Sequence, residues 1–365
     1  MVTHLNYAFA DVTAANGCAT LDAFADYNKA FSASESVDGQ ADPTSAGVLR
    51  GNFNQLRKLK QIYPNLKVLI SIGGWSSSDY FSNAALPANR QAFVASCIDM
   101  YLKGNFAPEL QGYSGIFDGI DIDWEYPAAC GETCNYRLED TRNFTALLAE
   151  FRSQLNALSG QTGNPYLLTI AAPAGALYYD KIELENIHPY LDFINLMAYD
   201  FHGPWDTITN LHAPLNGDPA DPSYTQGLYA DHAIQDYLTR GVPPSKLVLG
   251  VPFFAHGWSG VSAGPDGNGL YQPAGNCARG KYECGTNDYK EMISLESSYT
   301  KYYHATAHSV WIYNGRILWT YDDPGSLADK MSYIKTYKLG GAMFWEFSGD
   351  TSNASLLRAI YNNLR

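Results

Sequence analysis

Three carboxyl side chains in the segment FDGIDIDWEYP (117–127) have the spacing that general acid catalysis could use. The segment has the apolar pattern of a β-strand. Because side chains alternate across a strand, Asp121, Asp123 and Glu125 are predicted to share one face. Neighbouring carboxylates disfavour one another's ionised form, so at least one proton is expected to be shared. Such an arrangement can keep Glu125 protonated near neutral pH, as a general acid requires.

The other face of this strand is predicted to be apolar, with Ile120, Ile122 and Trp124 packed against helices. Asp118 lies near the start of the strand and, by the same alternation, does not belong to the face that carries the three acids. A solvated edge strand is disfavoured, because one face is apolar. A calcium or magnesium site is also disfavoured, because such sites usually lie in loops with a glycine turn. We therefore predict neither a metal nor a cofactor.

The same segment resembles the DxxDxDxE signature of glycoside hydrolase family 18, the chitinases. Further segments resemble motifs of this family in the expected order: SIGGW (71–75), MAYD (197–200) and GAMFWEFSGD (341–350). The resemblance extends over nearly the whole chain. Region 258–320 is similar to the small α+β domain of bacterial chitinases with a deep cleft.

This resemblance implies hydrolysis of β-1,4 bonds between N-acetylglucosamine units by a substrate-assisted, retaining mechanism. The acetamido oxygen of the substrate attacks the anomeric carbon, and Glu125 protonates the glycosidic oxygen and later activates water. Asp123 orients the acetamido group, and Asp121 shares a proton with Asp123. Tyr199 donates a hydrogen bond to the acetamido oxygen, and Asp118 supports the strand.

The resemblance also implies a set of substrate-binding side chains. They are Trp75, Tyr126, Met197, Asp200, Trp205, His256 and Trp345. Trp345 would form the floor of the subsite for the cleaved sugar. The segment GVPFFAHGW (250–258) departs from the family, many members of which carry Tyr-Gly-Arg where this chain has Phe-Ala-His. His256 is therefore predicted to replace the arginine as a hydrogen-bonding group.

Two other functions remain open at this stage. One is a catalytically silent chitin-binding lectin of the same fold, although such lectins usually lack the terminal glutamate that Glu125 supplies here. The other is an endo-β-N-acetylglucosaminidase that acts on glycoproteins. The set of tryptophans and the region 258–320 favour linear chitin or chitooligosaccharides as the substrate.

Apolar, β-rich runs alternate with helical patterns along the chain, which predicts a parallel sheet. The predicted strands are 2–10, 67–74, 117–124, 166–174, 193–200, 246–254 and 341–347. Helical periodicity is clearest in 89–103 and 139–158.

Polar residues at the C-terminal ends of several strands favour a TIM (β/α)8-type barrel over a doubly wound sheet. A barrel has eight strands and we recognise seven, because the first strand of the family has no counterpart before 2–10. We predict barrel segments at 1–257 and 321–365, with an α+β insertion at 258–320.

Charge and hydropathy exclude some partners. The net charge is −13, which disfavours nucleic acid. The sequence contains no run of about 18 consecutive apolar residues, which is the length needed to span a membrane. The N-terminus, MVTHLNYAFA, lacks the basic and small-residue features of a signal peptide. We expect a monomer.

Six cysteines are present, and two pairs are close in sequence: Cys130 with Cys134, and Cys277 with Cys284. Neither pair has a second pair or histidines at zinc-like spacing, so we predict two local disulfides. Cys97 is either an inert buried thiol or bonded to Cys18, and the spacing leaves both open. Disulfides indicate an oxidising compartment, and together with the family resemblance they predict a secreted protein.

Overall fold

The structure is a computed structural model that describes residues 2–45 and 47–365. Within it the chain forms two compact units. The N-terminal unit comprises residues 2–171 and 181–192. The C-terminal unit comprises residues 172–180 and 193–365. The boundary at 171 falls inside a strand.

Strands occur throughout both units. They are β1 (His4–Val12), β2 (Cys18–Thr20), β3 (Lys67–Gly73), β4 (Gly119–Asp123), β5 (Leu167–Pro173), β6 (Phe193–Met197), β7 (Leu247–Pro252), β8 (Phe254–Ser259), β9 (Asn276–Cys277), β10 (Thr286–Asp288), β11 (Thr300–His304), β12 (Ser309–Tyr313), β13 (Ile317–Tyr321) and β14 (Gly341–Trp345). All seven strands predicted from the sequence are present, as β1, β3 to β7 and β14.

Helices connect most of the parallel strands. They are α1 (Gly51–Ile62), α2 (Phe81–Ala84), α3 (Arg90–Cys97), α4 (Asp140–Thr162), α5 (Ala176–Tyr179), α6 (Leu184–Ile187), α7 (Ala230–Thr239), α8 (Tyr289–Leu295), α9 (Pro324–Tyr337) and α10 (Ser355–Leu364). The chain continues from α3 into a π-helical turn, Ile98–Leu102. The apolar stripe predicted for 139–158 is buried along α4, which ends at Gly163 in the left-handed conformation that glycine adopts without strain.

In the N-terminal unit the sheet order is β5-β4-β3-β1-β2. The strands β1, β3, β4 and β5 are parallel, whereas β2 folds back antiparallel to β1. The central strand β4 is buried along its whole length. Its register places Asp121 beside Ser71 of β3 on one side and Thr169 of β5 on the other. This register decides which hydroxyls reach the carboxylates.

In the C-terminal unit β6, β7 and β14 are parallel, with β7 in the middle. A second, antiparallel sheet has the order β10-β8-β13-β12-β11, with β9 paired to β8. It has its own hydrophobic core: Leu211, Trp258, Val261, Leu270, Ala307, Trp311, Tyr313 and Leu318. The α+β character predicted for 258–320 is therefore confirmed. This sheet includes β8, which begins at Phe254, and the domain boundaries themselves stay a prediction.

Three disulfides are present: Cys18–Cys97, Cys130–Cys134 and Cys277–Cys284. The two local pairs predicted from the sequence are confirmed. Of the alternatives left open for Cys97, the structure has the bond to Cys18. Among the described residues, no helix has both the length and the apolar character needed to cross a membrane.

Candidate active site

The carboxylates of β4 lie on a face opposite to a packed aromatic cluster. Asp121 and Asp123 are 2% and 6% exposed, and Glu125 lies just beyond the end of the strand and is partly exposed. On the other face the Trp124 ring stacks on Phe81 with centroids 5.3 Å apart and meets Phe144 edge-on at 5.7 Å. The packing of Trp124 orients the strand, so that its acidic side chains face away from the helices.

Asp121 is held by hydroxyl groups from both neighbouring strands. The Ser71 hydroxyl donates to Asp121 Oδ2 at 2.8 Å, and the Thr169 hydroxyl donates to Oδ1. Hydrogen bonds to a carboxylate favour its charged form. The register of the sheet therefore provides this buried carboxyl group with two hydrogen-bond donors.

Asp123 lies in a very different environment. Its Oδ1 is buried, and none of the residues that the structure describes offers that atom a hydrogen bond. Burial, followed by the neighbouring charges of Glu125 and Asp121, raises the pKa of Asp123 well above its usual value of 3.8. Asp123 thus retains a proton at pH values where an ordinary aspartate is ionised. In the row of acids formed by Asp121, Asp123 and Glu125, the middle group is thus the one whose ionisation burial opposes most directly.

The Glu125 backbone is fixed by a chain of hydrogen bonds. Its N–H donates to Ser78 Oγ at 2.9 Å, and the Ser78 hydroxyl donates to the Gly74 carbonyl at 2.9 Å. The Gly74 N–H donates to the Asp123 carbonyl at 2.8 Å. A β-carbon at Gly73 would lie 2.2 Å from that same carbonyl. The Gly73-Gly74 pair therefore serves close backbone packing.

Asp118 makes the contacts that a supporting residue needs. Its Oδ2 accepts from Lys60 Nζ at 2.7 Å and from the Val68 N–H at 2.8 Å. These bonds tie the start of β4 to β3 and to α1.

Two of the predicted sugar-binding residues lie in the N-terminal unit near this row. Trp75 occupies a single turn (Trp75–Ser77) directly after β3 and is 53% exposed. Tyr126 follows Glu125 through a cis peptide bond and is partly buried. A half-exposed indole is a surface on which a sugar ring can stack.

The predicted residues of the C-terminal unit gather at the end of β6. Met197 closes that strand. The Tyr199 ring meets Phe254 edge-on at 5.9 Å, and its hydroxyl donates to Met343 Sδ at 3.9 Å. These contacts place the Tyr199 side chain against β8 and β14 rather than in bulk solvent.

Asp200 is held by two histidines. His256 Nε2 is 2.7 Å from Asp200 Oδ1, and the Asp200 backbone N–H donates to His212 Nδ1 at 3.2 Å. His212 is completely buried. Burial, followed by the electrostatic influence of the neighbouring His256, Lys330 and His202, lowers the pKa of His212 well below its usual value. His212 is therefore neutral, with its proton on Nε2 and its Nδ1 acting as an acceptor.

Trp205 and Trp345 are the exposed indoles of the C-terminal unit, at 58% and 39%. A β-carbon at Gly203 would lie 2.3 Å from the Trp205 ring, so the indole packs directly on the glycine backbone. Trp205 also meets the His256 ring edge-on at 5.0 Å. Trp345 is the last residue of β14.

Within the described part of the chain, Asp200, His212 and His256 form the one cluster whose donor atoms could hold a metal ion, all within 4.8 Å of one another. Their donor atoms are engaged with each other, however. His256 uses Nε2 on the Asp200 carboxylate, and His212 Nδ1 accepts the Asp200 N–H. The set fits a hydrogen-bonded clamp better than an open coordination sphere. That no metal is needed stays a prediction.

Several residues of this site were not identified from the sequence. Ser71 was noted only as part of a motif, and Thr169 and Ser78 were not singled out, whereas His212 was expected near the cleft without an assigned role. A signal existed for the first two, since each is a lone hydroxyl in an otherwise apolar strand. His212 lies in a loop whose position no local pattern predicts.

Comparison with known proteins identifies the family. Residues 1–350 match the family described as glycosyl hydrolases family 18. The chain is 39% identical to chitinase A1 of Niallia circulans over 96% of its length and 53% of that protein. It is also 39% identical to chitinase C of Streptomyces lividans, over 98% of its length and 54% of that protein. The chain thus spans about half the length of these curated relatives.

Among solved structures, the catalytic domain of psychrophilic chitinase B from Arthrobacter TAD20 is 37% identical with a TM-score of 0.92. The alignment covers 99% of this chain and 88% of that domain. Structural neighbours of this kind are TIM barrels, so the predicted fold class is confirmed. On the family match and these relatives together, the chain belongs to glycoside hydrolase family 18.

Proposed function

We propose that this chain is a chitinase, with Glu125 as the general acid and base of a substrate-assisted, retaining hydrolysis. The observation that carries the proposal is the row on β4. Asp121 is anchored by two hydroxyls, burial and the neighbouring acids raise the pKa of Asp123, and the partly exposed Glu125 stands at the end of the row. The relatives, which are named chitinases, support the choice of chitin or chitooligosaccharides as the substrate.

The row suits a reaction in which positive charge develops on the substrate's acetamido group. Glu125 gives its proton to the glycosidic oxygen while the acetamido oxygen of the substrate attacks the anomeric carbon, so the protein supplies no nucleophile. As the acetamido nitrogen becomes acidic, Asp123 accepts its N–H. The proton that Asp123 held passes toward Asp121, the neighbouring carboxylate. Glu125, now ionised, then deprotonates the attacking water.

We assign the remaining predicted residues to substrate binding. The Tyr199 hydroxyl donates to the acetamido oxygen, and the Asp200 carboxylate accepts from a sugar hydroxyl. The exposed indoles Trp75, Trp205 and Trp345 offer stacking surfaces, and we assign Met197 and Tyr126 to further contacts with the sugar. A sugar ring that covers an indole removes apolar surface from water, which contributes about 25 cal/mol per Å² buried.

The mechanism is tested with two tetrasaccharides that differ only at carbon 2. Chitotetraose carries the acetamido group and cellotetraose carries a hydroxyl, so only chitotetraose should be cleaved. Proton NMR within the first minutes should show the β-anomer of the new reducing end, because retention preserves the configuration. Cleavage of both sugars at similar rates, or initial release of the α-anomer, would rule out the substrate-assisted mechanism.

The same experiment separates the two alternative functions. A silent lectin would bind chitotetraose, measured by calorimetry, without cleaving it. An endo-β-N-acetylglucosaminidase would release glycans from a glycoprotein and leave chitotetraose intact. Product masses then distinguish release of chitobiose from release of single sugars.

We also propose that the protein acts outside the cytoplasm and as a monomer. The three disulfides support an oxidising compartment. Culture fractionation and light scattering test these two points directly.

A further inference from the structure

Asp200 has a backbone conformation that costs free energy. Its φ is +58°, in the left-handed region that non-glycine residues rarely adopt. Such strain persists where surrounding contacts over-determine the conformation, and it concentrates at functional sites. Two side chains provide these contacts, His212 on the backbone N–H and His256 on the carboxylate.

The donor and acceptor roles in this cluster follow from simple chemistry. A carboxylate can only accept, so His256 must carry a proton on Nε2 to bond with Asp200. The Asp200 N–H can only donate, so Nδ1 of His212 must be bare. His256 is 4% exposed, whereas the Asp200 side chain is 48% exposed. The Asp200 carboxylate is therefore accessible to solvent and substrate, whereas the His256 imidazole that holds it is buried.

The other side of the His256 ring faces residues 277–286, a segment that a disulfide closes and that folds back at an antiparallel bridge between Glu283 and Thr286; we call it the hairpin. Its Nδ1 lies 3.3 Å from the Gly285 carbonyl and 3.4 Å from Thr286 Oγ1. The hairpin is tied to the His256 strand by the Gly257 N–H, which donates to the Gly285 carbonyl at 3.0 Å. The disulfide Cys277–Cys284 closes the segment immediately before Gly285. The hairpin thus supplies the wall against which the imidazole rests.

We propose that His256 is a positioning residue, which acts on the substrate through Asp200 and is itself aligned by the Cys277–Cys284 hairpin. This inference rests on the proposed function, in which Asp200 accepts from a sugar hydroxyl. It refines the sequence prediction that His256 replaces an arginine in direct substrate contact. Because Trp205 also packs on His256, the same imidazole aligns a carboxylate and an exposed indole.

The test is a double-mutant cycle with chitotetraose. His256→Leu removes the ring nitrogens at similar volume, and His256→Gln returns an amide donor. We expect His256→Leu to lower kcat/KM about tenfold, equivalent to about 1.4 kcal/mol, and His256→Gln to recover part of it. If His256 acts through Asp200, the His256→Leu/Asp200→Asn double variant loses no more than Asp200→Asn alone. Losses that multiply, or no loss in His256→Leu, would overturn the proposal.

A matched control is available in another histidine–aspartate pair. His308 Nδ1 lies 3.2 Å from Asp329 in the same unit. His308→Asn should leave kcat/KM unchanged, because Asn also tolerates the positive φ of this position.

The hairpin is tested with the Cys277→Ser/Cys284→Ser variant. Removing the disulfide should lower kcat/KM when His256 is present and should have no further effect in the His256→Leu variant. An equal loss in both backgrounds would remove the hairpin from the proposal.

A measurement without substrate separates this inference from the proposed function. Nitrogen-15 NMR of the histidines should show His256 protonated at Nε2, with a signal that shifts in Asp200→Asn. If the parent neither cleaves nor binds chitotetraose, the proposed function fails, while the NMR result still decides whether His256 holds Asp200. A His256 proton found on Nδ1 alone would contradict the positioning role.

Discussion

Replacing Asp123 with asparagine should stabilise the fold at neutral pH while it abolishes hydrolysis. Asp123 is buried, its Oδ1 is unsatisfied among the described residues, and its pKa lies well above 3.8 because of burial and the neighbouring acids. Asparagine has nearly the same shape and carries no charge. At neutral pH the substitution removes the cost of ionising a buried carboxyl beside two other acids, about 1.4 kcal/mol for each pH unit by which the folded pKa exceeds the unfolded pKa, so the thermal midpoint should rise by about 2–6 °C.

The pH dependence of this gain follows from the direction of the shift. Below pH 3.8 Asp123 is protonated in both the folded and the unfolded chain, so its protonation adds no cost. As the pH rises, the unfolded chain releases the proton first, and the parent loses stability until the pH passes the folded pKa. The advantage of Asp123→Asn should therefore be small near pH 3 and reach its full size above the folded pKa.

The assay is thermal unfolding of both proteins from pH 3 to pH 8. Asp118→Asn is a control of opposite sign, because Asp118 accepts from Lys60 and from a backbone N–H. That change should cost about 1 kcal/mol. An Asp123→Asn protein that is less stable than the parent at pH 7, or whose gain does not depend on pH, would refute this account of the row.

Two further predictions concern the elements that hold the row. The Cys18–Cys97 disulfide spans 79 residues and Cys130–Cys134 spans 4. Replacing each pair with serines should lower the free energy of unfolding, measured by chemical denaturation, by about 4–5 kcal/mol for the first pair and about 2 kcal/mol for the second. Equal losses would contradict the loop-entropy argument. Gly73→Ala places a β-carbon 2.2 Å from the Asp123 carbonyl at a φ of +109° and should cost more than about 2 kcal/mol together with most of the activity. Gly112 also has a positive φ but is surrounded by open space, so Gly112→Ala should lower stability by about 1 kcal/mol and retain activity. Similar losses at Gly73 and Gly112 would show that the close packing is irrelevant.

Local patterns were sufficient to predict the core of this site. The strict alternation in FDGIDIDWEYP places acids on one face and Ile120, Ile122 and Trp124 on the other, and the structure has that arrangement. The buried strands were equally clear from their apolar runs. Such predictions succeed because the two-residue period of a strand is a property of the sequence itself.

What could not be predicted depends on contacts between distant segments. Thr169 reaches Asp121 only because β5 pairs with β4 in one particular register, and register is not visible within either strand. The Cys18–Cys97 bond joins residues that are far apart in the chain for the same reason. The apolar run 246–254 hides a change of sheet, since β7 ends at Pro252 and β8 begins at Phe254. Proline lacks the N–H that would continue the ladder, which is the one local signal of that break.

The central claim is that Glu125 performs proton transfer in the cleavage of chitin chains. The most direct test is the hydrolysis of chitotetraose by the parent, by Glu125→Gln and by Glu132→Gln, whose carboxylate is exposed a few residues further on. We predict that Glu125→Gln loses at least about a hundredfold in kcat while it still binds the tetrasaccharide, and that Glu132→Gln matches the parent. A Glu125→Gln protein that cleaves at the parent's rate would contradict the account.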